Sequence, residues 1–80
     1  MKITVKYFGI IADFTKVKDE IFVFNETVNS IESLQSALEE KYPQIKNVAY
    51  TWALNQKLTN QSAKLHDQDE IALLPPFSGG

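Results

Sequence analysis

Only one stretch of this 80-residue chain carries the period of an amphipathic helix. Ile31, Leu34, Leu38 and Tyr42 recur at spacings of three and four, so they gather on a single apolar stripe. This predicts a helix over residues 30–42. Asn29 followed by Glu32 fits a capping box, Ser30 is an equally good cap, and Pro43 stops the helix after Lys41. Glu32, Gln35 and Glu39, with Lys46 beyond them, lie on the opposite side and are expected to face solvent. One helical stripe cannot bury itself, so the rest of the chain must supply the surface that covers it.

That surface reads as a sheet. Residues 2–8 alternate, with Ile3, Val5 and Tyr7 on one face and Thr4, Lys6 and Phe8 on the other. Gly9 breaks the run, and residues 10–14 suit a short helical turn. Residues 20–24 are rich in the branched and aromatic types that fit a pleated surface. Two short strands, 48–54 and 57–59, flank Asn55-Gln56, where asparagine tolerates the positive φ of a tight hairpin. Residues 60–68 read as irregular and 71–74 as a last strand, ended by Pro75-Pro76, which have no N–H to continue a ladder. The order strand, strand, helix, strands, strand predicts an α+β domain: a mixed sheet of four to five strands packed on one main helix, with the first and last strands central. That is the β-grasp, or ubiquitin-like, layout, here a domain over residues 1–74 followed by an extended tail, 75–80.

Several functions are disfavoured. A chain of this size buries only about 60 to 65% of the surface its unfolded form exposes, so a deep cleft walled by its own residues is not expected. A subunit or carrier, not catalytic alone, fits better than a free-standing enzyme. The net charge is −2, the eight lysines are scattered and arginine is absent, which argues against nucleic acid. No apolar run nears the roughly 20 residues of a membrane span, and the amino terminus opens directly into strand-like alternation without a signal peptide's apolar block, so a soluble cytoplasmic protein is expected. There is no cysteine and a single histidine, His66, so neither a metal site nor a bound cofactor is expected. His66 reads as a loop cap, Asp67, Asp69 and Glu70 as a solvated turn with docking as the alternative, and Tyr50 and Trp52 as sheet or core residues.

The segments Ile3-Thr4-Val5-Lys6-Tyr7-Phe8, Leu54-Asn55-Gln56-Lys57-Leu58, Asp67-Gln68-Asp69-Glu70-Ile71-Ala72-Leu73-Leu74 and Pro75-Pro76-Phe77-Ser78-Gly79-Gly80 carry a resemblance to the small subunits of molybdopterin synthase, the ubiquitin-like sulfur carriers of molybdenum cofactor biosynthesis. A terminal Gly-Gly is shared by ubiquitin-like proteins generally; the proline pair ahead of it is the more discriminating feature, since carriers for thiazole synthesis usually lack it. Residues 25–30 run slightly longer than is typical of the family, and Leu73-Leu74 stand where aromatics are common. The resemblance implies that the Gly80 carboxylate is the reactive site. An adenylyltransferase related to ubiquitin-activating enzymes would adenylate it with ATP, a sulfur donor protein would convert it to a thiocarboxylate, and the synthase large subunit would supply the pocket where the sulfur meets the cyclic pyranopterin precursor. Pro75, Pro76, Phe77, Ser78 and Gly79 would enter the partner. A ubiquitin-like protein modifier, or a sulfur carrier for thiazole or another metabolite, is the alternative.

The residue types suit that chemistry. An α-carboxylate, with a pKa of about 3.5, is ionised at neutral pH and a poor electrophile until its oxygen becomes a leaving group. Without cysteine, the chain end is the one place for such a carrier to hold sulfur. Glycines at 79 and 80 keep the end narrow, and four extended residues from Phe77 reach about 13 Å. By strand phase Phe8 points away from Ile3, Val5 and Tyr7, and Leu74 away from Ile71 and Leu73. With Leu58 they form an expected apolar patch beside the tail for docking the large subunit.

Overall fold

The computed structural model describes residues 1–25 and 30–76. In chain order the elements are β1 (Lys2–Tyr7), α1 (Ile10–Thr15), β2 (Asp19–Val23), α2 (Ile31–Lys41), a 3-10 turn (Pro43–Asn47), β3 (Thr51–Leu54), β4 (Lys57–Thr59) and β5 (Glu70–Leu74). The five strands form one sheet in the order β2-β1-β5-β3-β4. β1 and β5 run parallel in the middle and the other pairs are antiparallel, so the sheet is mixed. The expected β-grasp arrangement is the one observed.

The period-two pattern decides which face is covered. Ile3, Val5 and Tyr7 of β1 and Ile71 and Leu73 of β5 are almost wholly buried, and the α2 stripe Ile31, Leu34 and Leu38 is 0% exposed. These side chains, with Ile11, Ile45, Trp52 and Leu65, make a single core between sheet and helix. Burying such side chains is worth roughly 1.5–3 kcal/mol each, which is what holds one helix onto one sheet face.

At the start of α2, Ser30 is the cap, its side chain accepting from the Ser33 N–H; the alternative cap, Asn29, lies outside the described residues. The first free N–H groups of the helix donate to the carbonyls of Ala63 and Gln61, at 3.0 and 3.1 Å. The irregular 60–68 segment thus satisfies donors that would otherwise be orphaned. Tyr42 is the residue at which α2 ends, half-buried, and its ring meets that of Tyr7 edge-on at 5.9 Å.

Strand boundaries differ from the sequence reading by one to three residues. β1 ends at Tyr7, one residue before Phe8. β2 begins one residue earlier, at Asp19, and ends at Val23. β3 begins at Thr51 instead of residue 48, because Pro43 starts a 3-10 turn that ends with the Val48 N–H on the Ile45 carbonyl. The hairpin lies where expected, with φ of 50° at Asn55 and 71° at Gln56, the paired positive values of a tight two-residue turn.

Candidate functional site

The tail leaves from β5, the central strand, which ends at Leu74. Pro75 and Pro76 follow it, exposed and outside any strand. Pro75 rests against Gly9: a β-carbon on Gly9 would come within 2.9 Å of the Pro75 ring, and Gly9 has φ of +59°. Gly9 therefore matters to the site twice, by accepting a backbone conformation that side chains disfavour and by leaving room for the tail stem. In the sequence it was legible only as a strand terminator, since the contact joins residues 66 positions apart. The expected reactive residue Gly80, and with it Phe77, Ser78 and Gly79, lies outside the described residues.

The face of the sheet away from α2 is open. On it Leu58 of β4 pairs with Ala53 of β3, and Ala53 pairs with Ala72 of β5, an apolar row across three strands. Leu74 is two residues on from Ala72, on the same face, opposite Thr51. Tyr7 pairs with Leu73, so Phe8 stands at the same end of the sheet as Leu74. Phe8 is 44% and Leu58 60% exposed, whereas Leu74 is half-buried. A solvent-open cleft of about 440 Å³ next to Gly9 is lined by Tyr7, Phe8 and Ala12 with Lys6, Lys18 and Asp19. Lys6 pairs with Glu70 at 3.2 Å and so marks the polar border of the apolar row.

The acidic turn is solvent-exposed at Asp67 and Gln68, as read from the sequence, and is also hydrogen-bonded into the fold. Asp67 accepts from the Lys2 N–H at 2.7 Å, and that bond, then one from the Gln68 side chain, holds its carboxyl below the usual range. Asp69 accepts from the Asn55 side chain and from the His66 N–H, while the Glu70 N–H donates to Asn55 Oδ1. His66 takes part through its backbone, in the loop-capping place expected of it. The Asp67 and Asp69 carboxylates and the Glu70 N–H therefore hold structure at the start of β5, the strand that carries the tail.

One polar cluster was missed altogether. Glu20 accepts hydrogen bonds from the hydroxyls of Tyr7 and Tyr42 and from Lys41 Nζ, the latter two at 2.6 Å. Burial works to raise its carboxyl, but the bonds from Lys41, Tyr42 and Tyr7 outweigh it and hold Glu20 below the ordinary range. The Tyr7 hydroxyl is pushed far up, first by burial and then by its bond to Glu20. The cluster sits between β2 and the end of α2 and is structural. Among the described residues no group of three or more His, Cys, Asp or Glu side chains could hold a metal ion, and no helix is long and apolar enough to cross a membrane.

Residues 5–80 match the ThiS family. The chain is 31% identical to the molybdopterin synthase sulfur carrier subunit of Mycobacterium tuberculosis, over 100% of this chain and 99% of that protein. It is 32% identical to a chain in the solved protein–protein complex of subunits 1 and 2 of molybdopterin-converting factor from Helicobacter pylori, with full coverage of both chains and a TM-score of 0.70. The fold alone is shared with a Pyrococcus furiosus protein described as molybdopterin converting factor, subunit 1, at a TM-score of 0.85 and 20% identity, covering 95% of this chain and 98% of that one. By sequence over nearly its whole length and by fold, the chain belongs to the ThiS family, among the relatives of the molybdopterin synthase sulfur carrier subunits.

Proposed function

We propose that this chain is the sulfur-carrier small subunit of a molybdopterin synthase, a β-grasp domain over residues 1–74 that presents the tail 75–80. The observation that carries this reading is full-length likeness, at 31 to 32% identity, to a sulfur carrier subunit and to a chain in a solved complex of subunits 1 and 2 of molybdopterin-converting factor. The position of the tail supports it. The tail continues the central strand, leaves through Pro75, which rests against Gly9, and Pro76, and starts beside the open apolar face. A stiff stem loses less entropy on insertion into a partner.

The chemistry follows from a carboxylate at Gly80. Its oxygen attacks the α-phosphorus of ATP on an activating enzyme, pyrophosphate leaves, and the acyl-adenylate so formed is an electrophile. The terminal sulfur of a persulfide on the donor protein attacks the acyl-adenylate and AMP leaves; a second donor thiol then cleaves the S–S bond, forming a disulfide on the donor and freeing the thiocarboxylate. That sulfur, a stronger nucleophile than the oxygen it replaced, attacks the pyranopterin precursor in the large subunit; water then attacks the acyl carbon of the resulting thioester, the C–S bond breaks with the sulfur left on the pterin, and the Gly80 carboxylate is restored. ATP is used by the activating enzyme and is not held by this chain, and the cytoplasm is where both partners would meet it.

The test is intact-mass analysis after incubation with a cognate activating enzyme, ATP and a sulfur source. Replacement of one terminal oxygen by sulfur is expected, and Gly80→Ala should lose it while keeping the circular dichroism spectrum of the parent. Normal thiocarboxylation of Gly80→Ala, or transfer of the chain onto lysines of other proteins without sulfur gain, would overturn the reading.

A further inference from the structure

The outer edge of the sheet at β2 is uncovered among the described residues, and its backbone polarity can be read from the ladder. Phe24 and Met1 exchange both of their backbone hydrogen bonds, at 2.8 and 2.9 Å, and the Tyr7 N–H donates to the Lys18 carbonyl at 2.8 Å. Residues 18, 20, 22 and 24 therefore point their N–H and C=O groups at β1, and the alternation turns those of Asp19, Ile21 and Val23 outward. The same residues carry their side chains on the open face. Ile21 is 63% and Val23 70% exposed, the two most exposed large hydrophobics among the described residues.

An edge of this kind is normally blunted by lysine, proline or a bulge. Residues Asp19–Val23 contain no lysine, proline or bulge, their register with β1 is unbroken over five pairs, and the two charges, Asp19 and Glu20, are confined to one end of the strand. The opposite edge, β4, is three residues long and begins with Lys57. β2 is also held rigidly, since Glu20 is tied to Tyr7, Tyr42 and Lys41. A preformed strand loses little entropy on pairing.

We propose that β2 is a self-association edge, on which a second copy of this chain pairs antiparallel about a two-fold axis through Ile21. In that register Ile21 faces Ile21, and Asp19 faces Val23 in both directions, so all three outward residues exchange two hydrogen bonds each. Glu20 faces Phe22 of the second copy, the ring over which that copy's Lys41 ammonium sits at 5.4 Å. Every carboxylate thus meets an apolar residue or a cation. Moving the axis to Glu20 sets Glu20 against Glu20, a like-charge pair that is unfavourable directly across strands. Moving it to Phe22 takes Asp19 out of the strand-to-strand pairing. The charge pattern of β2 selects a copy of itself in one register, and two five-residue strands make a contact small enough to be reversible. Its dissociation constant is on the order of 0.1 mM, as befits an interface below about 1,200 Å². The tail leaves from β5, two strands in from this edge, so it remains free in the pair.

The absence of cysteine allows a register test on the full chain. Residues in a hydrogen-bonded antiparallel pair have Cα atoms about 5.5 Å apart, inside the range a disulfide spans. Ile21→Cys alone should crosslink to dimer under mild oxidation at least tenfold faster than Glu32→Cys on the far side of α2. Val23→Cys alone should not, but a mixture of Asp19→Cys and Val23→Cys chains should yield the mixed dimer. Sedimentation of the unaltered chain should show reversible dimerisation between roughly 10 µM and 1 mM. Ile21→Lys should raise the dissociation constant more than tenfold with an unchanged unfolding midpoint. A chain that stays monomeric to 1 mM, or one that crosslinks faster at Leu58→Cys than at Ile21→Cys, overturns the proposal.

Discussion

Glu20 shows how one side chain can tie together parts of the chain that the sequence presents as unrelated. It stands on β2, yet its three donors come from β1 and from the end of α2. In the sequence it reads only as the first residue of a strand, because the arrangement exists only once sheet and helix are packed. Its carboxyl is held below the ordinary Glu value in the folded chain, so folding favours the ionised form. The stability this contributes is fully present above the unfolded-state pKa, about 4.3, and is lost as pH falls through the lower folded value. Glu20→Gln should therefore cost about 1 kcal/mol at pH 7, where the charge-assisted bond to Lys41 is partly solvated. The gap between variant and parent should shrink as pH drops below 4. Urea unfolding at pH 7 and at pH 3 checks this; a gap that is the same at both would mean that Glu20's charge does not matter. Gly9 is the other residue whose role came from the fold alone. Gly9→Ala should lower stability by about 1–2 kcal/mol in the same assay, from a positive φ and contact with Pro75.

At the scale of elements, what could be read in the sequence is what local chemistry determines. The α2 stripe, the strand phase of β1 and the Asn55-Gln56 turn were all legible, because each rests on a period or a backbone preference contained within a few residues. What was not legible depends on partners far along the chain. Gln35, expected to be solvated, donates to the Tyr50 hydroxyl at 3.0 Å. The turn at Asp67–Asp69 is joined to β1 and to the hairpin, and Asn55 does two things at once, holding positive φ and bridging Asp69 and Glu70 through its amide. Those functions can be separated. Asn55→Gly keeps the conformation and loses the bridge, and should cost about 1 kcal/mol; Asn55→Ala loses both and should cost about 2 kcal/mol. Equal losses in chemical denaturation would show that the bridge alone matters.

On the scale of the whole molecule, the domain divides its surface by task. One sheet face is spent on α2 and the core, which leaves the other face, with the tail at one end, free for a partner. Strand phase could assign Leu74 to that face from the sequence, in step with Ala72, whereas Phe8 lies one residue past the end of β1; the Leu58–Ala53–Ala72 row needed the register. Docking by this face would place the tail's first residue at the rim of the contact, so a reach of about 13 Å from Phe77 suffices to enter a neighbouring pocket. If Phe8, Leu58 and Leu74 anchor the large subunit, a lysine at Phe8 or at Leu74 should weaken that complex at least tenfold, about 1.4 kcal/mol or more. Phe8 is the cleaner position, being exposed and outside the strand, so Phe8→Lys should leave the unfolding free energy within about 0.5 kcal/mol of the parent. Ile21→Lys, on the far edge of the same open face, should leave affinity for the large subunit unchanged. Titration calorimetry of the three variants against one large subunit compares them directly. Equal affinity for Phe8→Lys and the parent would remove the tail-side patch from the docking surface, whereas a loss shared by Ile21→Lys would extend that surface across the whole sheet.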